Sequence, residues 1–188
     1  MRILSGIARG RKLKALPRGY EVRPILARIR KSLFDILRPR MQGALFLDLF
    51  AGMGTVGLEA VSNGARQAVF VELEKSSLKS IERNVTDMGF TAQCDIRQGD
   101  ATKSLAWLRP RVFDVIFMGP PYKDELKRPL ALTVPTLKRI DEAGLAAPGT
   151  IVVCQHHDKE PLAGAPPRFE KIRENVYGDS VLTFFKYA

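Results

Sequence analysis

The pattern of apolar and polar positions changes character near residue 44 of this 188-residue chain. Before that point, Leu26, Ile29, Leu33, Phe34, Ile36 and Leu37 recur at helical spacing with Arg28, Arg30 and Lys31 between them. This predicts an amphipathic helix that Pro24 opens and Pro39 ends. Ahead of it, residues 2–7 and 12–16 read as two short strands around Ala8-Arg9-Gly10-Arg11, a basic β-hairpin. After it, short apolar runs alternate with helix-period segments. Strands are predicted over 44–50, 68–73, 92–98, 112–118 and 150–155, and helices over 55–63, 75–88, 101–108 and 124–142. That βαβα order implies an α/β fold with a mostly parallel sheet and helices on both faces. The end differs: residues 169–177, a Gly178-Asp179 turn and residues 181–187 read as an antiparallel hairpin at one sheet edge. Residues 158–167, with Gly164 and three prolines, read as a surface connection.

Composition narrows the picture without redirecting it. Apolar residues at 45% and charged residues at 27% are ordinary for a globular chain with one substantial core. No run approaches the roughly 18 apolar residues of a membrane span, and the N-terminal residues lack the apolar stretch of a secretory signal. Cys94 and Cys154 stand far apart, which fits a reducing cytoplasm and lacks the close pairs of a zinc site. His156 and His157 are expected in a surface loop after the fifth strand with no third ligand, so no metal is assigned.

Charge adds more. Residues 1–40 hold 12 Lys/Arg and 2 Asp/Glu, whereas residues 41–188 hold 18 of each. The whole excess of +10 therefore sits in an N-terminal extension ahead of an electrically neutral domain spanning 41–188. A field confined in this way favours a polyanion such as nucleic acid. A solvated basic face is the plainer alternative. A membrane surface fits less well, because the charges are not spaced along one amphipathic helix.

The loop after the first predicted strand reads Asp48-Leu49-Phe50-Ala51-Gly52-Met53-Gly54-Thr55-Val56-Gly57. Gly52 and Gly54 allow a sharp turn and close approach to a ligand. Glu72, twenty residues after Gly52, ends the second strand where a carboxylate can accept both hydroxyls of a ribose. The spacing also fits a dinucleotide fingerprint, so a nicotinamide oxidoreductase stays open at this point. Asp48 shifts the balance, since an acid ending the first strand suits a cationic amino-acid moiety better than a pyrophosphate. Asp100 ends the third strand, where it could hold an adenine amino group or simply cap the next helix.

A second motif follows the fourth strand: Met118-Gly119-Pro120-Pro121-Tyr122. Two prolines make a stiff turn that fixes the Pro120 carbonyl, and Tyr122 offers a face on which a base can stack. An exocyclic amino group is a poor nucleophile because its lone pair is delocalised into the ring. Acceptors aimed at its hydrogens, with the ring plane fixed, favour the reactive geometry. A tight turn with a chance tyrosine is the bland reading.

With these motifs in order, the chain resembles the bacterial methyltransferases that modify the N2 amino group of a guanine in small-subunit (16S) ribosomal RNA. The matching stretches are Gly10-Arg11-Lys12-Leu13, Arg23-Pro24, Arg30 to Leu37, the Asp48 to Glu59 loop and Tyr177-Gly178-Asp179. The resemblance implies a Rossmann-like class I methyltransferase fold with a seven-stranded sheet. It implies S-adenosylmethionine held by Asp48, Phe50, Ala51, Gly52, Gly54, Glu72, Leu73, Asp100 and Ala101, and a target base beside Gly119, Pro120, Pro121 and Tyr122. It also implies an RNA-binding extension carrying Arg2, Arg9, Arg11, Lys12, Lys14, Arg23, Arg28, Arg30 and Lys31. The expected partner is 16S ribosomal RNA within an assembled or partly assembled small subunit.

Two positions depart from the family's pattern. Gly119 stands where the family has Asp or Asn, which removes a side-chain acceptor and predicts slowed transfer. Ile25 replaces a Thr, costing a helix cap worth about 1 kcal/mol or a phosphate contact. The alternatives are an adenine-N6 methyltransferase of DNA or RNA, which uses the same kind of turn, and a catalytically weakened RNA-binding or ribosome-assembly protein.

Overall fold

The computed structural model describes residues 1–14, 25–124 and 126–188. Arg23, Pro24 and the end of the predicted strand over 12–16 lie outside the described residues. Two compact units divide the chain, Met1–Gly99 and Asp100–Ala188.

In the first unit, β1 (Leu45–Leu49) is buried along its whole length, as its unbroken apolar run requires. It pairs in parallel with β2 (Gln67–Glu72), with Leu45 opposite Gln67 and Leu49 opposite Val71. β2 pairs in parallel with β3 (Cys94–Gln98). α2 (Thr55–Ser62) and α3 (Lys75–Met88) are the crossovers between these strands. α3 stops at Gly89, whose φ of +71° permits the left-handed cap that returns its N–H to the Thr86 and Val85 carbonyls. α1 (Ala27–Leu37) buries Ile29, Leu33, Phe34 and Leu37, and the Phe34 ring stacks on Phe46 of β1.

In the second unit, β4 (Val115–Met118) runs parallel to β5 (Ile151–His157). β5 pairs antiparallel with β7 (Ser180–Tyr187), and β7 with β6 (Phe169–Tyr177). The β6–β7 turn contains Gly178 at φ +68°. α4 (Thr133–Glu142) buries Leu137 and Ile140. Among the described residues there are seven strands, with parallel pairing until an antiparallel C-terminal hairpin, the class expected from the alternation of periods.

Four elements differ from the periodicity. The N-terminal hairpin is shorter than predicted, with an Arg2–Lys12 bridge flanked by Ile3 N–H to Arg11 O and Leu13 N–H to Met1 O. Residues 4–8 leave that pairing because side chains of α2 take their backbone donors: Leu4 and Ser5 give theirs to Glu59, and Ala8 to Ser62. Gly6 sits so close to this helix that a Cβ would lie 1.8 Å from the Ser62 carbonyl oxygen.

The helix expected over 101–108 shrinks to a 3-10 turn at Ala106–Leu108. Asp100 Oδ1 accepts from both the N–H and the hydroxyl of Thr102, and such local side-chain bonds compete with a helix. The helix expected from 124 begins only at Thr133. Asp124 binds Arg128 through its carboxylate, and Pro129, which pairs with Lys123 in a bridge, lacks the donor a helix needs. Finally, His156 and His157 belong to β5 rather than to a surface loop. His156 is buried, with Nε2 against the Thr183 hydroxyl at 2.8 Å and Nδ1 against the His157 carbonyl.

Candidate active site

The glycine loop of the first unit is built by backbone conformations few residues adopt. Phe50, Gly52 and Gly54 have φ of +60°, +56° and +77°. Only glycine takes that region without steric cost, so Phe50 is held there under strain by its neighbours. The Ala51 N–H reaches Val71 O, and the Gly54 N–H closes the turn onto Ala51 O at 2.8 Å. Gly57 serves packing: a Cβ there would lie 2.3 Å from the Phe70 ring.

Two carboxylates stabilise this loop. Asp48 is buried, and its Oδ2 accepts the Gly57 N–H at 2.8 Å inside the first turn of α2. Its Oδ1 is buried and accepts nothing from the described residues. Burial pushes the Asp48 carboxyl up to about 7, against the Gly57 N–H and with help from the charge of Glu72. An unmatched buried acceptor costs free energy that a cationic ligand would recover. Glu72 Oε2 accepts the Gly52 N–H at 2.6 Å, while Oε1 takes the N–H groups of Leu73 and Glu74. Each carboxylate oxygen has room for further donors, so Glu72 can still receive ribose hydroxyls. The orphaned oxygen and the glycine turn fit an adenosyl group with a cationic amino-acid tail.

Asp100 and Ala101 open the second unit. Asp100 Oδ1 is committed to Thr102, and Ala101 is buried. In the same unit, the Gly119–Tyr122 turn leaves β4 with Pro120 buried and Pro121 exposed. Tyr122 is locked in place. Its Oη lies 2.7 Å from Ser180 Oγ and accepts from Gln155 Nε2 at 3.2 Å, and its ring meets His157 edge-on at 5.7 Å. The sequence did not single out Gln155 or Ser180. Ser180 directly follows the Tyr177-Gly178-Asp179 stretch, which carried a resemblance but no assigned role.

The basic extension lies in the first unit. Arg9, Lys12 and Arg28 are exposed, with no ion pair to any described residue. Lys14 pairs with Asp87, and Lys31 with Asp35, both at the surface. Arg2 donates to Gly10 O, and Arg11 donates to the Met88 and Asp87 carbonyls at the end of α3. Arg30 is a correction: counted among the RNA-facing cations, it is 1% exposed. Its Nε lies 3.3 Å from Glu59 Oε2, and its other nitrogens reach Arg2 O and Met1 Sδ. Helical spacing placed Arg30 between apolar positions, and the apolar face won.

Among the described residues no helix is long and apolar enough to cross a membrane, and no three metal-ligating side chains cluster.

A glycine turn between β1 and α2, acids ending β1 and β2, and seven strands closing in an antiparallel hairpin define a Rossmann-like methyltransferase. The chain belongs to the family described as Conserved hypothetical protein 95, which matches residues 1–186. It is 29% identical over 188 residues to the Bacillus subtilis protein YlbH, covering 99% of this chain and 98% of that one. It is 28% identical over 184 residues to Ribosomal RNA small subunit methyltransferase D of Haemophilus influenzae, covering 95% and 89%. The solved structure of yhhF from Escherichia coli matches with a TM-score of 0.83 at 26% identity, covering 100% of this chain and 97% of that one.

Proposed function

We propose that this protein methylates the N2 amino group of a guanine in 16S ribosomal RNA, with residues 1–40 as the RNA-binding extension and 41–188 as the catalytic domain. The observation that carries the reading is the locked Tyr122 at the end of the Pro-Pro turn, in a chain whose relatives include a small-subunit rRNA methyltransferase.

S-adenosylmethionine is the cofactor, and it supplies the methyl group: the N–C bond forms as the C–S bond breaks, the electron pair passes to sulfur, and the amine releases a proton to solvent. Asp48 would hold its cationic amino-acid tail, Glu72 its ribose hydroxyls, and Asp100 its adenine amino group. Tyr122 stacks on the target base, and the Pro120 carbonyl accepts one amino hydrogen. Together they fix the ring plane and bias the nitrogen toward its pyramidal form, work done by position rather than by proton transfer.

Arg9, Lys12 and Arg28 neutralise phosphates and set the register of the RNA, which carries no sequence information by itself. The natural substrate is an assembled or partly assembled small subunit in the cytoplasm. Free Cys94 and Cys154 suit that compartment; burial pushes the Cys94 thiol up to about 12 and raises the Cys154 thiol as well, which disfavours the reactive thiolate at both.

The test is methyl transfer from labelled S-adenosylmethionine to small subunits, free 16S rRNA and duplex DNA. Label in the small subunit or its RNA supports the reading, and label confined to DNA contradicts it.

A further inference from the structure

The turn that places Tyr122 also exposes an acceptor from the neighbouring strand. Gln155 lies on β5, beside β4, and its side chain is half-buried. Its amide NH2 is committed: Nε2 lies 3.2 Å from Tyr122 Oη and 3.1 Å from Ser180 Oγ. That anchoring turns the other end of the amide, Oε1, toward residue 119. A Cβ built on Gly119 would lie 3.7 Å from Oε1. A side chain at this position would cover the oxygen, and glycine leaves it open. Oε1 accepts no hydrogen bond from the described residues and is not sealed in the interior.

Resting on the methyl-transfer reading above, the geometry points to Gln155 Oε1 as a second acceptor for the exocyclic amino group of the target base. The Pro120 carbonyl and the Gln155 carbonyl then receive one amino hydrogen each while the ring stacks on Tyr122. Because Tyr122 and Ser180 grip the amide nitrogen, the acceptor and the stacking surface are fixed to one another. An acceptor oriented before the base arrives lowers the barrier without reorganisation during transfer. Methyl transfer itself is unchanged: the amine nitrogen takes the methyl carbon, the sulfonium keeps the C–S electron pair, and one amino proton leaves to water.

Asp124, the nearest acid along the chain, is a weaker choice. Its carboxylate is committed to the N–H and guanidinium of Arg128.

Single-turnover transfer to small subunits tests the assignment with three variants. Gln155→Leu should slow transfer by about 10²-fold and leave S-adenosylhomocysteine affinity, read by calorimetry, unchanged. Gln155→Glu keeps an acceptor, and both hydroxyls can donate to its carboxylate, so it should stay within about tenfold of wild type. Tyr122→Phe keeps the stacking ring but drops the tether, and should lose less than Gln155→Leu. Equal losses in Gln155→Leu and Tyr122→Phe would mean that Gln155 acts only through Tyr122, and would overturn the acceptor role. So would a Gln155→Leu variant that transfers at the wild-type rate. Wild-type protein inert on every RNA and DNA offered would instead overturn the methyl-transfer reading, and this assignment with it.

Discussion

The hydroxyl of Tyr122 lies 2.7 Å from that of Ser180, joining the turn after β4 to the first residue of β7. Two sequence stretches far apart, Pro-Pro-Tyr and Tyr-Gly-Asp-Ser, therefore meet at one hydrogen bond. Ser180→Ala should cost about 1 kcal/mol of stability, the usual net value of such a bond. It should also slow methyl transfer by about tenfold, because a loosened stacking ring misplaces the base. Denaturant titration and single-turnover rates check both. A stable variant with unchanged rate would show that the ring needs no tether.

Asp48 should make cofactor binding depend on pH. Its carboxyl stands at about 7 in the folded protein against 3.8 in an unperturbed chain. Between those values the native state keeps a proton that the unfolded chain has lost, so stability contributed by this group falls as pH rises through that window. A cationic ligand binds the ionised form, so affinity should move the other way. S-adenosylmethionine should bind about tenfold more tightly at pH 8 than at pH 6, and Asp48→Asn should flatten the profile. Calorimetry at the two pH values gives the comparison, with the Asn variant accounting for titration of the ligand's own amine. Identical profiles for both proteins would remove Asp48 from cofactor binding.

Periodicity located α3 and most strands closely; the buried apolar runs of β1, β4 and β5 lie close to Gly43, Gly119 and Gly149. The bounds predicted for the 75–88 helix are those observed, Lys75–Met88. It failed where side chains divert the backbone: Asp100 on Thr102, Asp124 on Arg128, and Glu59 on Leu4 and Ser5. Those bonds join groups whose pairing depends on tertiary position or on a competing local turn, and neither leaves a period in the sequence. The glycine loop and the Pro-Pro-Tyr turn were legible because rare residues cluster there. Gln155 and Ser180 were not, since nothing in the spacing of residues 122, 155 and 180 announces that β5 and β7 pair beside the turn.

The Arg30–Glu59 pair binds the N-terminal segment to α2. Both side chains are fully buried, and Glu59 also receives the backbone N–H groups of Leu4 and Ser5. Burial lowers the Arg30 pKa and Glu59 opposes this, as expected of a charge kept in the interior by its partner. Glu59→Ala leaves the guanidinium uncompensated and should destabilise the fold by about 3–5 kcal/mol. Arg30→Met with Glu59→Gln should cost less than the sum of the two single changes. Strict additivity in denaturant titrations would show that the pair is not coupled.

The exposed cations should act on RNA alone. Replacing Arg9, Lys12 and Arg28 together by Glu should weaken RNA binding and flatten its dependence on salt by about 0.7–0.9 per lost phosphate contact. Cofactor affinity should not change. Arg30→Ala should behave oppositely, losing stability without this change in slope among the molecules that remain folded. Filter binding across a salt series distinguishes them, and an unchanged slope in the triple variant would leave the basic extension without a role in phosphate contact.

The chemical identity of the modified nucleoside can be read directly. Small subunits lacking the modification, incubated with the protein and S-adenosylmethionine, can be digested and their nucleosides separated by mass spectrometry. One new N2-methylguanosine per subunit is expected, lost in Tyr122→Ala. N6-methyladenosine in its place, or no methylated nucleoside from any ribosomal RNA substrate, would contradict the guanine-N2 reading.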